Sequence, residues 1–324
     1  MNHPVLMERR GQFETPGEAE ALRAFLAPLF DLTLMHDAPV SISCHARATG
    51  GGLVVRLDAG SLELERAVGA ARRGGWDHRL VLLVSAGSCD SIVREHVQPL
   101  RWGDLALFDM ARSFRLSIQR PASLVLLFLP RSTPLESLPP HGRHLPAEDV
   151  MNGLIVPPIR LLADGPAPLS PTEASALIDA IALLAQAPPP DAPDRLTDLW
   201  ALLDACATNA EWPPGRMAAA LGLSRTGLYR LATSEGGVSA MRQDARLRHA
   251  VMLLMDPSGP VRAVADVALA SGFASPAHFS RLFRQRFSLS PLEFRTRVRD
   301  SGEARLDPRF ALWLERGLNG VAPS

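Results

Sequence analysis

The sequence predicts an α+β chain of two domains, the first built from short strands and the second wholly helical. Three observations predict this. Between residues 40 and 130 short apolar runs recur between glycine-containing turns. From about 196 to 300 the apolar positions change to a helical period. Between them lies Pro188-Pro-Pro-Asp-Ala-Pro193, a stretch that ends a helix and separates cores. With 324 residues, 47% of them hydrophobic and 21% charged, the chain has room and composition for two globular cores.

Residues 16–30 read as an amphipathic helix with Leu22, Phe25, Leu26 and Leu29 on one face. Runs 61–65, 79–84, 105–108, 114–118 and 124–129 read as strands. Gly74-Gly75, Ala86-Gly87-Ser88 and a turn at Trp102-Gly-Asp104 punctuate them. Strands spaced this way close as a barrel or a sandwich. Residues 130–146 are proline-rich and are expected to leave the strands as an extended segment.

Ser170-Pro-Thr-Glu173 is a capping box with proline at the first helical position. The helix it opens carries Leu177, Ile178, Ile181, Leu184 and Ala185, a stripe suited to core or to a contact between copies. The chain thus divides into a strand-rich domain at 1–148, a connecting helix and linker at 149–195, a helical domain at 196–300 and a tail at 301–324. Residues 310–318 of the tail have the pattern of a short helix with no assigned role.

The formal net charge is zero, but its distribution is uneven. Every basic residue is arginine. Between Trp212 and Arg299 thirteen Arg face five acids (Glu235, Asp244, Asp256, Asp266 and Glu293), a balance of +8, and the rest of the chain holds −8. One basic segment on an acidic chain is what a phosphate-binding module requires. Cys44, Cys89 and Cys206 are odd in number and far apart, which favours free thiols over a disulfide framework. No apolar run reaches the ~18 residues that span a bilayer, and residues 1–10 lack a signal-peptide core. A cytoplasmic protein with no membrane partner is expected.

Two stretches of the helical half resemble each other. The first is Met217-Ala-Ala-Ala-Leu-Gly222-Leu-Ser-Arg-Thr-Gly-Leu228-Tyr-Arg230-Leu. The second is Val264-Ala-Asp-Val-Ala-Leu-Ala-Ser-Gly272-Phe-Ala-Ser-Pro-Ala-His-Phe279-Ser-Arg281-Leu. Their glycines stand 50 residues apart, whereas Leu228 and Phe279 stand 51 apart, so the second copy has one extra residue in its turn. Each reads as helix, turn, helix. Met217, Ala220 and Leu221 are expected to meet Leu228 and Leu231. In the second copy Val261, Val264, Ala265 and Ala268 are expected to meet Phe279, Leu282 and Phe283. Gly222 and Gly272 fit a left-handed helix end, Ser224 and Ser275 fit N-caps, and Pro276 fits a first helical position.

Burying those positions turns Arg225, Thr226, Tyr229 and Arg230 outward in the first copy. It turns Ala277, His278, Ser280, Arg281, Arg284 and Gln285 outward in the second. In a major groove Arg takes guanine bidentately, while Thr, Ser and Ala approach a thymine methyl. Residues 239–255 form a connecting helix of ~26 Å at ~1.5 Å per residue. Such a rod suits two reading helices in successive major grooves, ~34 Å apart. An arginine face alone is ordinary solvated surface, and one helix-turn-helix occurs in many helical bundles. Two copies at one spacing within a +8 segment point to double-stranded DNA.

These residues resemble the AraC/XylS family of transcription regulators. The match runs through Asp266-Val-Ala268, Gly272-Phe273, Phe279, Phe283-Arg284, Phe287, Ser290-Pro291 and Phe294-Arg295. The first copy is similar through Leu221-Gly-Leu-Ser224, Leu228-Tyr-Arg230 and Gly236-Gly237, and the connecting helix through Arg246-Leu247 and Ala250. Ser288 stands where the family usually has Gly, Ala232 where a bulky Phe is common, and Met241-Arg-Gln243 replaces an aromatic-aliphatic-basic run. Pro99-Leu-Arg-Trp-Gly-Asp104-Leu-Ala-Leu-Phe-Asp109 with Phe114 is similar to a cupin-like β-barrel that serves one branch of the family as ligand-binding domain. The resemblance covers about residues 10–300. It implies a transcription activator or repressor whose partners are operator DNA, RNA polymerase, a small-molecule effector and a second copy of the chain. It carries over no effector contact.

An enzyme of the cupin kind needs metal ligands in spaced pairs, and His36, His45, His78 and His96 are isolated. His141-x-x-His144 lies in the proline-rich segment, and Gly50-Gly-Gly52 lacks the strand and helix of a phosphate cradle. No metal, cofactor or catalytic residue is expected. The remaining alternative is a protein-binding adaptor on the same helical fold, which the outward arginines disfavour.

Overall fold

The computed structural model describes residues 8–13, 16–35, 42–49, 52–67, 76–129, 141–164, 170–184, 195–206, 208, 212–233, 235–255, 263–300 and 307–310. Gly50 and Gly51, Gly74-Gly75, residues 130–140, the 188–193 proline run, Val261 and residues 311–318 lie outside them. The chain forms two compact units. One comprises residues 1–135, 141–187 and 301–324; the other comprises 136–140 and 188–300.

In the first unit the elements are β1 (Glu8–Phe13), α1 (Pro16–Leu26), β2 (Asp31–Leu34), β3 (Ile42–Thr49), β4 (Gly52–Ala59) and β5 (Leu62–Arg66). Then come β6 (Arg79–Ala86), β7 (Ser88–Val93), β8 (His96–Arg101), β9 (Leu105–Asp109), β10 (Phe114–Ile118) and β11 (Ala122–Leu129). β12 (Arg143–Leu145), α2 (Val150–Asp164) and α3 (Pro171–Leu184) complete it. The strands make two antiparallel sheets, ordered β1-β3-β4-β11-β6-β9-β12 and β2-β5-β10-β7-β8. This is the barrel-like sandwich that the strand spacing predicts.

Side chains alternate across each strand, so the larger sheet has two apolar faces to cover. Leu124, Leu126 and Phe128 of β11 join the core between the sheets, with Leu64, Leu116 and Ile118 of the smaller sheet. Val125, Leu127 and Leu129 face the other way, onto Ile155 and Ile159 of α2 and Ile178 and Ile181 of α3. Burial on both faces is why β6 and β11 read as unbroken apolar runs. Each fully buried Leu, Val or Phe contributes roughly 1.5–3 kcal/mol relative to exposure. The stripe foreseen on α3 is therefore core, with Ile181 fully buried. Leu184's side chain and Ala185 lie outside the described residues.

Two features correct the sequence reading. Residues 143–145 do not leave the strands: they pair with β9 at the edge of the larger sheet. α2, which was not foreseen, runs through Pro157 and Pro158. Its buried Asn152, Ile155, Ile159 and Leu162 follow a helical period, a signal that the prolines masked. Asn152 donates to the carbonyls of Gly103 and Leu145, pinning α2 to the Trp102–Asp104 turn and to β12.

The second unit contains α4 (Arg195–Cys206), α5 (Pro214–Ala220), α6 (Arg225–Thr233), α7 (Val238–Met255), α8 (Val264–Ala270), α9 (Pro276–Phe287) and α10 (Pro291–Asp300). α4 supplies Leu196, Leu199, Trp200 and Leu203 to a core shared with Met217, Leu228, Ala232, Met241 and Ala245. Those four residues of α4 form an i, i+3, i+4, i+7 stripe in the sequence. The second half is held by rings: Phe283 lies 5.5 Å from Phe279, 4.4 Å from Phe287 and 5.5 Å from Phe294. Among the described residues no helix is long and apolar enough to cross a membrane.

Candidate DNA-binding interface

α5–α6 and α8–α9 are the two expected helix-turn-helix units, and their turns are built alike. The Gly222 N–H donates to the Ala219 carbonyl and the Leu223 N–H to that of Ala218, at 3.0 and 2.8 Å. Fifty residues on, Gly272 donates to Leu269 and Phe273 to Ala268, at 2.9 and 3.0 Å. Both glycines have positive φ, 62° and 79°, which a side chain would strain. Ser224 Oγ then accepts from the Gly227 N–H, and Ser275 Oγ from the His278 N–H, capping α6 and α9. The extra residue of the second copy is thus taken up between the left-handed glycine and the cap.

In the first helices Met217 and Ala268 are buried and Leu221 and Val264 partly buried as expected, but one position of each stripe is not. Met217 and Ala218 are buried in α5 and their counterparts Val267 and Ala268 in α8, while Ala220 and Ala265 are exposed. The second helices agree with expectation: Leu228 in α6 and Phe279 and Phe283 in α9 are fully buried, with Leu231 and Leu282 partly so.

Their outer faces carry the residues singled out as base readers. Arg225, Thr226, Tyr229 and Arg230 are exposed on α6. Ala277, His278, Arg281, Arg284 and Gln285 are exposed on α9, and Ser280 is half-buried. Arg225 folds back over α5, where a Cβ on Gly215 would come within 2.9 Å of its guanidinium. On α9 the Arg281 guanidinium donates to His278 Nδ1 at 3.1 Å, which joins two of the candidate readers. Arg284 lies 3.7 Å from Glu293, whose carboxylate also takes the Ser290 N–H in the capping box of α10. Those cap bonds hold the Glu293 carboxyl below its usual pKa.

Not all of the +8 segment faces solvent. Arg248 is buried on Asp204 and over Trp200, and Arg286 is buried 3.6 Å from Asp244. Composition alone does not separate these structural arginines from the displayed ones. In the strand-rich unit His141 and His144 make separate contacts. His141 uses both ring nitrogens on the Asp109 N–H and the Ser113 carbonyl, and His144 pairs with Asp104 at 3.0 Å. All three cysteines are free and buried, and burial, assisted by neighbouring aspartates, pushes the Cys44 and Cys89 thiols up to about 12.

Residues 217–297 match the helix-turn-helix domain family. The transcriptional activator NphR of Rhodococcus is 29% identical over 230 residues, 65% of this chain and 68% of NphR. The HTH-type regulator GlxA of Rhizobium meliloti is 38% identical over 103 residues, 31% of either chain. The crystal structure of the AraC-like transcriptional activator CuxR covers 82% of this chain and 99% of its own, with 19% identity and a TM-score of 0.51, and shares the fold. With two helix-turn-helix units inside the matched residues and a two-sheeted strand domain before them, the chain is similar to AraC-type DNA-binding transcription regulators.

Proposed function

We propose that the chain reads operator DNA with α6 and α9 together and that a small apolar or aromatic molecule in the strand-rich unit modulates this reading. One observation carries the proposal: two equivalently built turns, 50 residues apart, that each present arginine beside small hydroxyl side chains on an outer helix face. α7, 18 residues long, is the rod that sets the two readers apart. At ~1.5 Å per residue it measures ~27 Å, which suits successive major grooves. In this reading Arg230 and Arg281 take bases and Arg225 and Arg284 take phosphates. The chain carries out no catalysis, works in the cytoplasm and contacts RNA polymerase at the promoter.

The apolar effector is assigned to the strand-rich unit from the resemblance carried by Pro99–Asp109 and Phe114, and its apolar character from the leucine, valine and phenylalanine that make up that unit's interior. Self-association is assigned to α2 rather than to α3, because Val150 (78% exposed), Leu154 (50%) and Leu161 (40%) form an apolar outer stripe there. Selection of bound duplexes from random DNA, followed by a salt titration, tests the main reading. Enrichment of one sequence and a steep fall of affinity with salt are expected. Binding without sequence preference would leave only phosphate contact, and no binding at all would favour the adaptor.

A further inference from the structure

The segment after α10 belongs to the strand-rich unit, not to the unit that carries the readers. Asp307, Pro308, Arg309 and Phe310 are all buried there. The Arg309 guanidinium bonds Asp307 through Nη2 at 2.6 Å and reaches Asp77 through Nη1 at 2.5 Å. His78 Nε2 lies 3.1 Å from the Asp307 carboxylate. The Phe310 ring sits 4.5 Å from the His78 ring and 5.4 Å from Trp76, inside the core between the sheets.

The receiving site is held by parts of its own unit. Arg66, fully buried at the end of β5, donates to the carbonyls of Trp76 and Met110, and the Met110 N–H donates to the His78 carbonyl. Trp76, Asp77 and His78 are therefore fixed independently of the tail that lands on them. A buried ion pair is by itself weak evidence for stability. Asp77 and Arg309 are 232 residues apart in sequence, and the double helix-turn-helix is complete before the tail begins. Only six residues, 301–306, join Asp300 to Asp307. Along the chain, the helical unit's residues 188–300 are thus preceded and followed by residues of the strand-rich unit.

We propose that Asp307–Phe310 is an intramolecular latch, docked as a peptide on the Trp76-Asp77-His78 site, that restrains the helical unit and lowers its affinity for DNA. The proposal rests on the DNA-binding reading. Its test uses the full chain and a duplex that the wild-type chain selects from random sequence. Inserting about ten Gly and Ser residues between Glu303 and Ala304 keeps the docked segment but slackens its tether. Affinity for that duplex is expected to rise about fivefold or more, the size of an ordinary coupling, with the melting of the strand-rich unit unchanged. A chain stopped after Leu306 should show the same rise, and adding the 307–324 peptide, which fills the site without a tether, should leave that rise in place.

An insertion variant with unchanged or lower affinity overturns the latch, even if the truncated chain fails to fold. That outcome would leave the segment as core filler. If the wild-type chain selects no duplex, the DNA-binding reading falls and takes the latch with it.

Discussion

Arg66 and Arg309 of the strand-rich unit and the displayed arginines of the helical unit put one side chain to opposite uses, although the helical unit also buries Arg248 and Arg286. In the strand-rich unit Arg66 and Arg309 are buried, each held by backbone carbonyls or carboxylates from distant stretches of chain. In the helical unit Arg225, Arg230, Arg281 and Arg284 stand exposed on two short helices. Removing a buried arginine leaves its partners without water or donor, so the loss falls on stability. Removing a displayed one leaves solvent in its place, so the loss falls on whatever the helix binds.

The largest expected effect tests the buried half of this contrast. Arg66 donates to four carbonyls, those of Pro28, Leu29, Trp76 and Met110, at 2.6–3.0 Å. Arg66→Met keeps an apolar stem of similar width, removes the guanidinium and strands those acceptors. The strand-rich unit should lose on the order of 4 kcal/mol, since each buried unsatisfied group costs ~1–3 kcal/mol and some relaxation follows. Calorimetry of the full chain should show its transition falling while that of the helical unit stays in place. A loss under about 1 kcal/mol would mean that the carbonyls find other donors.

Two histidines of the same unit give a pH dependence. His141 Nδ1 accepts the Asp109 N–H and Nε2–H donates to the Ser113 carbonyl, both at 3.1 Å, which requires the neutral ring. Burial first, and the Arg112 charge next, push its pKa down to about 3. Burial and then the Arg309 charge push that of His78 down to about 4, against the pull of Asp307. In the unfolded chain both bind protons near ~6.5. The stabilisation is therefore complete above that pH and is lost as pH falls from there toward 4. Asp307, which burial would raise but Arg309 and His78 hold well below its usual pKa, loses its contribution at still lower pH. The melting temperature of the strand-rich unit should drop between pH 7 and pH 5, by an amount worth a few kcal/mol. A flat profile would show the histidines charging in place.

The same contrast explains what the sequence made legible. Gly222, Ser224, Gly272 and Ser275 act within a few residues of themselves, so spacing alone located both turns and the helices after them. β6 and β11 were legible because both of their faces are buried. β3 was not, because it alternates Ile42, Cys44, Ala46 and Ala48 with polar residues and its inward side chains are mostly small. The buried network escaped for a stronger reason: Asp77, His78, Asp307 and Arg309 have no local pattern, and only folding brings them together. The residue-level roles of the displayed arginines rest on their outward placement alone and are decided by binding.

Arg230→Ala and Arg281→Ala test the displayed half. Each should weaken binding to a selected duplex by about 1–3 kcal/mol and relax preference at one base pair. Thermal stability should stay within about 0.5 kcal/mol, as for other surface changes. Loss of Arg281 also frees His278 Nδ1 from its 3.1 Å contact, so the α9 variant should disturb a second position that the α6 variant does not. Equal losses on selected and random duplexes would reassign both residues to phosphate contact.

The smallest effect concerns a place where the two turns and the end of α9 solve one problem differently. Gly222 and Gly272 take the left-handed conformation without a side chain, whereas Ser288 takes it with one, at φ 59° and ψ 10°. Its N–H donates to the Arg284 carbonyl at 2.9 Å, which closes α9 and positions Leu289 to be buried. The conformation brings Cβ against the carbonyl that follows, a strain absent in glycine. Glycine in turn has more unfolded-state freedom to lose, which offsets part of the gain. Ser288→Gly should therefore stabilise the helical unit by only about 0.5–1 kcal/mol, read as a rise in its urea midpoint at constant slope. Ser288 is exposed, so no packing is lost in the exchange. A lower midpoint would mean that the hydroxyl makes a stabilising contact that outweighs the strain.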